Sequence, residues 1–249
     1  MPPRTQHSLR QRASFALRRP DLLWRTVRTG CGRDIGLDEV APYLSGSLSG
    51  SPVILEAGAF DGADTVRFAE RWPGARIYTF EPVPELFADV ERRTSHLAQV
   101  RRYPMALSDR TGPATFHIVG NPDDESSPGR DFSSLLPVND ILVPHLAITR
   151  SITVQAITIA DWAHGEDVDR IDFMWLDMQG MELPVLKAAG PVRATTRAIH
   201  MGVLREEFFA GCALYDEIVS AMRSMGFRAA IDRVTLKFGN ILFVPILNV

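Results

Sequence analysis

Two acids, Glu56 and Glu81, lie at the ends of consecutive apolar runs, 53–57 and 76–80, and two glycines, Gly58 and Gly62, follow the first of them. A short apolar run that closes on an acid and a glycine turn reads as a buried strand opening into a helix, here at Asp64 and Thr65. Glycine lets the backbone of such a turn approach a ligand closely. A carboxylate ending the next strand, about twenty residues on, is placed to accept both hydroxyls of a ribose. The spacing Glu-x-Gly-x-x-x-Gly lacks the paired Gly-x-Gly that seats a pyrophosphate on a helix N-terminus. A dinucleotide therefore fits poorly, and S-adenosylmethionine, a nucleoside without phosphate, fits better. Glu56, Gly58, Ala59, Asp61, Gly62, Glu81 and Pro82 are the candidate cofactor residues of this half of the chain.

The elements that must position these residues alternate. Apolar runs at 53–57, 76–80, 100–107, 171–176 and 197–203 are separated by helical patterns at 62–71, 84–95, 182–189 and 213–225. That rhythm predicts an α/β fold with a doubly wound, mostly parallel sheet and short right-handed crossovers. Beyond Gly226, runs at 227–231 and 237–244 have no helix between them and predict a C-terminal antiparallel hairpin turning near Asp232 and Arg233. Two more strand-like runs, 114–119 and 152–159, interrupt the alternation, with a polar segment, 120–130, and Phe132 to Leu135 between them. A long polar segment at the mouth of a sheet suits either a lid or a surface insertion.

The chain has 249 residues, 45% hydrophobic and 23% charged, enough for one sizeable core. A net charge of −3 and a pI of about 6.1 provide no field to draw it onto nucleic acid or an anionic membrane. Two cysteines, Cys31 and Cys212, are too few for a disulfide framework or a cysteine-rich metal site, and suit a reducing, cytoplasmic setting. His117, His145 and His164 lack metal-ligand spacing, so no metal site is predicted. The first 33 residues carry eight arginines against one acid, Asp21. Leu22, Leu23, Trp24 and Val27 among them suit an amphipathic helix, and the run of Ser and Gly at 45–51 suits a joint. The expected organisation is a basic helical extension, 1–48, and a catalytic domain, 49–249. The extension suits either a partly ordered arm or a cap over the site or homodimer contact.

In ordered blocks over about residues 53–244 the sequence resembles the FkbM-type methyltransferases. The blocks are the glycine turn at 54–62, the "F-E-P" at 80–82, Ala106-Leu-Ser-Asp109 followed by Gly112, Ser133-Ser-Leu135, and IDFMWLDMQGMELPVLK at 171–187. The resemblance implies a seven-stranded class I methyltransferase sheet, S-adenosylmethionine as cofactor, and methylation of a hydroxyl on a sugar or other hydroxylated natural product. It adds Ala106, Leu107, Ser134 and Asp177 to the cofactor residues. Gln179 and Gly202 stand where the family commonly has acids, which leaves few oxygen ligands for a divalent cation near Asp177. The two missing acids also keep open a cofactor-binding protein without turnover. N- or carboxyl-methylation on the same fold is a further alternative.

Methyl transfer to a hydroxyl is an in-line displacement that needs alignment and removal of one proton. Asp177, ending the fourth parallel strand, is the first candidate base. His200, on the next strand, is the second, if its imidazole faces the same cleft; a histidine in so apolar a run also suits the core. Glu182 reads as a helix-start charge. Glu206, Glu207, Phe208 and Phe209 follow the fifth strand and suit either an acceptor pocket or a plain connection.

Overall fold

The structure is a computed structural model and describes residues 35–45, 51–120, 132–139 and 147–246. The arm before residue 35, most of the Ser/Gly joint and the polar segment at 121–131 lie outside the described residues, as do Cys31 and His145. The first described helix, α1 (Leu37–Leu44), precedes strand β1 (Val53–Ala57). After it come α2 (Ala63–Arg71), β2 (Arg76–Phe80), α3 (Pro84–Thr94) and β3 (Val100–Tyr103). Three strands, β4 (Ala106–Leu107), β5 (Gly112–Gly120) and β6 (Ala147–Ile157), lead to α4 (Ile159–Gly165) and β7 (Phe173–Leu176). The chain closes with α5 (Glu182–Lys187), a 3₁₀ turn at Gly190–Thr195, β8 (Ala198–Leu204), α6 (Tyr215–Ser224), β9 (Phe227–Asp232) and β10 (Phe238–Pro245).

Seven strands form the main sheet in the order β3-β2-β1-β7-β8-β10-β9. The first five run parallel, and β10 inserts antiparallel between β8 and β9. The order reverses between β1 and β7, where an open α/β sheet binds its ligand at the carboxyl ends of the strands. Every residue of β1 and β7 is buried, as expected of parallel strands covered on both faces. On one face Leu55, Met174, Ile199 and Met201 pack with Trp162, Leu186 and Met222 from α4, α5 and α6. On the other, Ile54, Phe173 and Trp175 pack with Phe68 of α2 and with Leu37, Val40 and Leu44 of α1. α1 is therefore part of this core, although it lies ahead of the boundary expected from the Ser/Gly joint.

One predicted strand divides. The run 100–107 pairs with β2 only as far as Tyr103, and Ala106 and Leu107 pair instead with Ala156 and Ile157 of β6. Pro104 has no N–H for the ladder, which ends there. β4, β6 and β5 then make a second, three-stranded sheet whose inner face, Phe116, Ile118, Val154 and Ala156, covers Leu86 of α3. The run 152–159 extends back to Ala147 and stops at Ile157, because Thr158 caps α4 by accepting from the Asp161 amide at 2.9 Å.

Candidate functional site

The turn after β1 rests directly on the end of β7. Gly58 has φ +82°, and a Cβ there would lie 2.0 Å from the Asp177 carbonyl oxygen, so no side chain fits. The Gly58 and Ala59 amides both donate to the Phe80 carbonyl at 3.1 Å, and the Asp177 amide donates to Ala57 at 3.0 Å. Three strand ends, β1, β2 and β7, are thereby locked into one rim.

Glu81 closes β2 and is 4% exposed. Its Oε2 accepts from the Phe60 amide and its Oε1 from the Val83 amide, both at 2.9 Å. Burial pushes this carboxyl up to about 7, against the pull of the two amides. A carboxylate has about four acceptor positions, so each oxygen keeps one for a ribose hydroxyl. Close backbone at Gly58 and an acceptor at Glu81 fit a nucleoside.

Other candidates serve this rim from behind. Glu56 is 1% exposed and accepts from the Thr65 hydroxyl at 2.5 Å and the Thr79 hydroxyl at 2.7 Å, tying β1, β2 and α2 together. Burial raises it to about 7 as well. Asp61 accepts from the Ala63 amide at 3.0 Å and pairs with Arg93 at 2.9 Å, so its carboxylate is committed to α2 and α3. Gly62 caps α2, and a Cβ there would meet Val90 Cα at 3.1 Å. Ala59, Ala106 and Leu107 are buried and Pro82 is half-buried. Ser134 is 1% exposed; its hydroxyl donates to the Gln179 carbonyl at 2.9 Å and accepts from the Leu136 amide at 3.1 Å.

Asp177 is exposed at the rim, and the Gln179 side-chain amide donates to its Oδ1 at 2.6 Å. The turn that carries it passes through Gln179 at φ 54° and Gly180 at φ 100°. A Cβ on Gly202 would stand 3.9 Å from both Asp177 Oδ1 and Glu182 Oε1, so this glycine of β8 leaves the space between the two acids open. His200 is not brought to this rim. It is 2% exposed and stacked on Trp175, with ring centroids 3.6 Å apart and planes 9° apart, in register with Leu242. Burial holds it down at about 3, so its ring is neutral at working pH.

Two features were not read from the sequence. Glu182, taken as a helix-start charge, is 3% exposed and bridges two backbone amides of the Asp177 turn. The second is a strap in which Val138 pairs with Phe209, Asn139 donates to Phe208 at 2.7 Å and Ala210 donates to Pro137 at 2.9 Å. Phe132 stacks on Phe209 and Phe208 meets Phe238 edge-on; Cys212, Leu136 and Phe209 close against Gly180. The aromatic pair at 208–209 was the visible signal. Its partner at 132–139 is too distant in sequence to be inferred from pattern. Among the described residues no group of three or more His, Cys, Asp or Glu is placed to hold a metal ion.

The strand order, the switch point and the glycine turn beside a buried strand-end carboxylate define a class I methyltransferase fold. Residues 56–229 match the model of the methyltransferase FkbM domain, and the chain belongs to that family of S-adenosylmethionine-dependent methyltransferases. It is 29% identical over 161 residues to the 2-O-methyltransferase NoeI of Sinorhizobium fredii (strain NBRC 101917 / NGR234), over 64% of this chain and 66% of that protein. The match thus spans slightly less than two thirds of that relative. Among solved structures, the N-terminal domain of EvdMO1 with SAH bound is similar at 14% identity and a TM-score of 0.47, over 85% of this chain and 80% of that one. Aeropyrum pernix fibrillarin, in complex with natively bound S-adenosyl-L-methionine, is similar at 13% identity and a TM-score of 0.44, over 83% and 74%.

Proposed function

We propose that the protein transfers the methyl group of S-adenosylmethionine to a hydroxyl of a small molecule, of the sugar or glycosylated-metabolite class. The observation that carries this reading is the exposed Asp177 carboxylate, set on a turn that abuts the Gly58 backbone. It is the one group of the two proposed bases that stands at the carboxyl edge where donor and acceptor must meet. Similarity to a 2-O-methyltransferase supports oxygen as the acceptor atom.

When bound, the cofactor supplies an electrophilic methyl group on a cationic sulfur. Glu81 receives the ribose hydroxyls, and Gly58 and Ala59 present backbone to the nucleoside. Asp177, oriented by the Gln179 amide on its Oδ1, accepts the proton of the acceptor hydroxyl as oxygen attacks. Gly202 contributes no ligand atom, so deprotonation falls to Asp177 without a dedicated cation.

Incubating the protein with isotopically labelled S-adenosylmethionine and a metabolite extract, followed by product analysis, tests the reading. Label recovered as an alkyl ether on a hydroxylated product is expected, and it persists in chelator. Label on nitrogen or a carboxyl group, or activity restored only by magnesium or manganese, contradicts it. Donor binding without any transfer would identify a silent binder.

A further inference from the structure

We propose that Glu182 is a positioning residue for methyl transfer: its buried carboxylate holds the turn 177–180 in the conformation that presents Asp177 at the rim. The proposal rests on the part given to Asp177 in the reading above. Glu182 Oε1 accepts from the Met178 amide at 2.8 Å and Oε2 accepts from the Gly180 amide at 2.9 Å. One side chain therefore fixes the residues immediately after Asp177 and after Gln179. Between them the backbone takes a left-handed step, φ 54° at Gln179 and 100° at Gly180. Non-glycine residues hold such a conformation only where their surroundings enforce it. On the opposite side of the turn, the Ser134 hydroxyl takes the Gln179 carbonyl. N–H groups and carbonyl are thus gripped from two directions, and the Gln179 side chain so held reaches Asp177.

This grip responds to pH. An ionised carboxylate accepts strongly from both amides, whereas in a protonated one the hydroxyl oxygen is the weaker acceptor and its bond to one amide loosens. Burial, with the Asp177 charge adding to it, raises Glu182 to about 7. The titratable groups facing it among the described residues are Asp177 on the turn and Cys212 from the strap. The Cys212 thiol is pushed up from 9.0 by burial and stays protonated near neutrality. From β8 Gly202 lies close by, where a Cβ would stand 3.9 Å from Glu182 Oε1, and it adds no titratable group.

The test is backbone hydrogen exchange of the full chain, without ligand, across about pH 5.5 to 8.5 with intrinsic rates removed. For local opening that leaves Glu182 buried, as distinct from global unfolding, wild-type protection of the Met178 and Gly180 amides is expected to fall roughly tenfold or more as pH drops through about 7, since bonds to a charged acceptor are weakened. Glu182→Gln should show low protection at every pH, with no transition. Calorimetry with S-adenosylmethionine as the sole probe should show a severalfold weaker, and less pH-dependent, affinity in the variant. Ser134→Ala, which leaves Glu182 intact, should loosen the turn but keep the transition, and it serves if Glu182→Gln fails to fold. PH-independent protection in the wild type overturns the proposal, as does wild-type protection and donor affinity in Glu182→Gln. A wild type that binds no S-adenosylmethionine at any pH would instead sink the functional reading, and the exchange profile would still decide Glu182.

Discussion

Two turns of this molecule are each held by a single buried glutamate with both oxygens on backbone amides, yet they do different work. Glu81 grips Phe60 and Val83, and on the proposed reading its own carboxylate receives the ribose. Glu182 grips Met178 and Gly180, and the exposed carboxylate of this turn, the proposed base, is a neighbour, Asp177. In the first turn binding and rigidity reside in one residue. In the second they are separated, which leaves the Asp177 carboxylate exposed. The contrast matches the two tasks: a donor nucleoside has fixed hydroxyls to be held, whereas an acceptor must be deprotonated and then released.

Breaking the contact between the two turns should have the largest effect. Gly58→Ala places a methyl group on the Asp177 carbonyl at a left-handed position, and is expected to destabilise the domain by roughly 2–4 kcal/mol and to abolish measurable donor binding. Urea unfolding and calorimetry read both; near-native stability with native affinity would show that the close packing is not required. Glu81→Ala comes next. Loss of charge-assisted bonds to two ribose hydroxyls should weaken S-adenosylmethionine by about tenfold or more. Unchanged affinity in a folded variant would remove Glu81 from the ribose site.

A titration of stability sharpens the comparison further. Glu56, Glu81 and Glu182 rise from 4.5 to about 7 on folding, so in that window the folded chain binds more protons than the unfolded one. Their contribution is fully present below pH 4.5 and is lost as pH rises through about 7. His200 works in the opposite sense, from 6.5 down to about 3, and its contribution is complete above 6.5. Three groups against one predict unfolding free energy in urea that declines from about pH 5 to about pH 7.5, and a flat or rising profile would show that the buried carboxyls are not neutral. The smallest kinetic effect is expected from His200→Phe, which keeps an aromatic ring on Trp175. It should leave the pH–rate profile in place, and a lost limb of that profile would return the imidazole to catalysis.

The rim that the candidate donor residues share was legible because its signals are local. A strand-end acid, a glycine turn and a second acid about twenty residues on need only strand periodicity to be read. The acceptor half was not. Glu182 at a helix start looks the same whether it faces water or two amides of the preceding turn. His200 lies in a strand buried on both faces, and apolar continuity cannot say which face meets the cleft. Pairing of 138 with 209 and of 106–107 with 156–157 depends on contacts across many residues. Only Pro104 advertised that the third strand would end early.

Asp177→Asn separates the two turns most directly, because it removes the exposed carboxylate while sparing the Glu182 clamp, whose bonds go to backbone amides. Labelled methyl transfer by this variant is expected to fall about a hundredfold or more, with S-adenosylmethionine affinity changed far less. Transfer at the wild-type rate, with an unshifted pH–rate profile, would contradict the assignment of the base to Asp177.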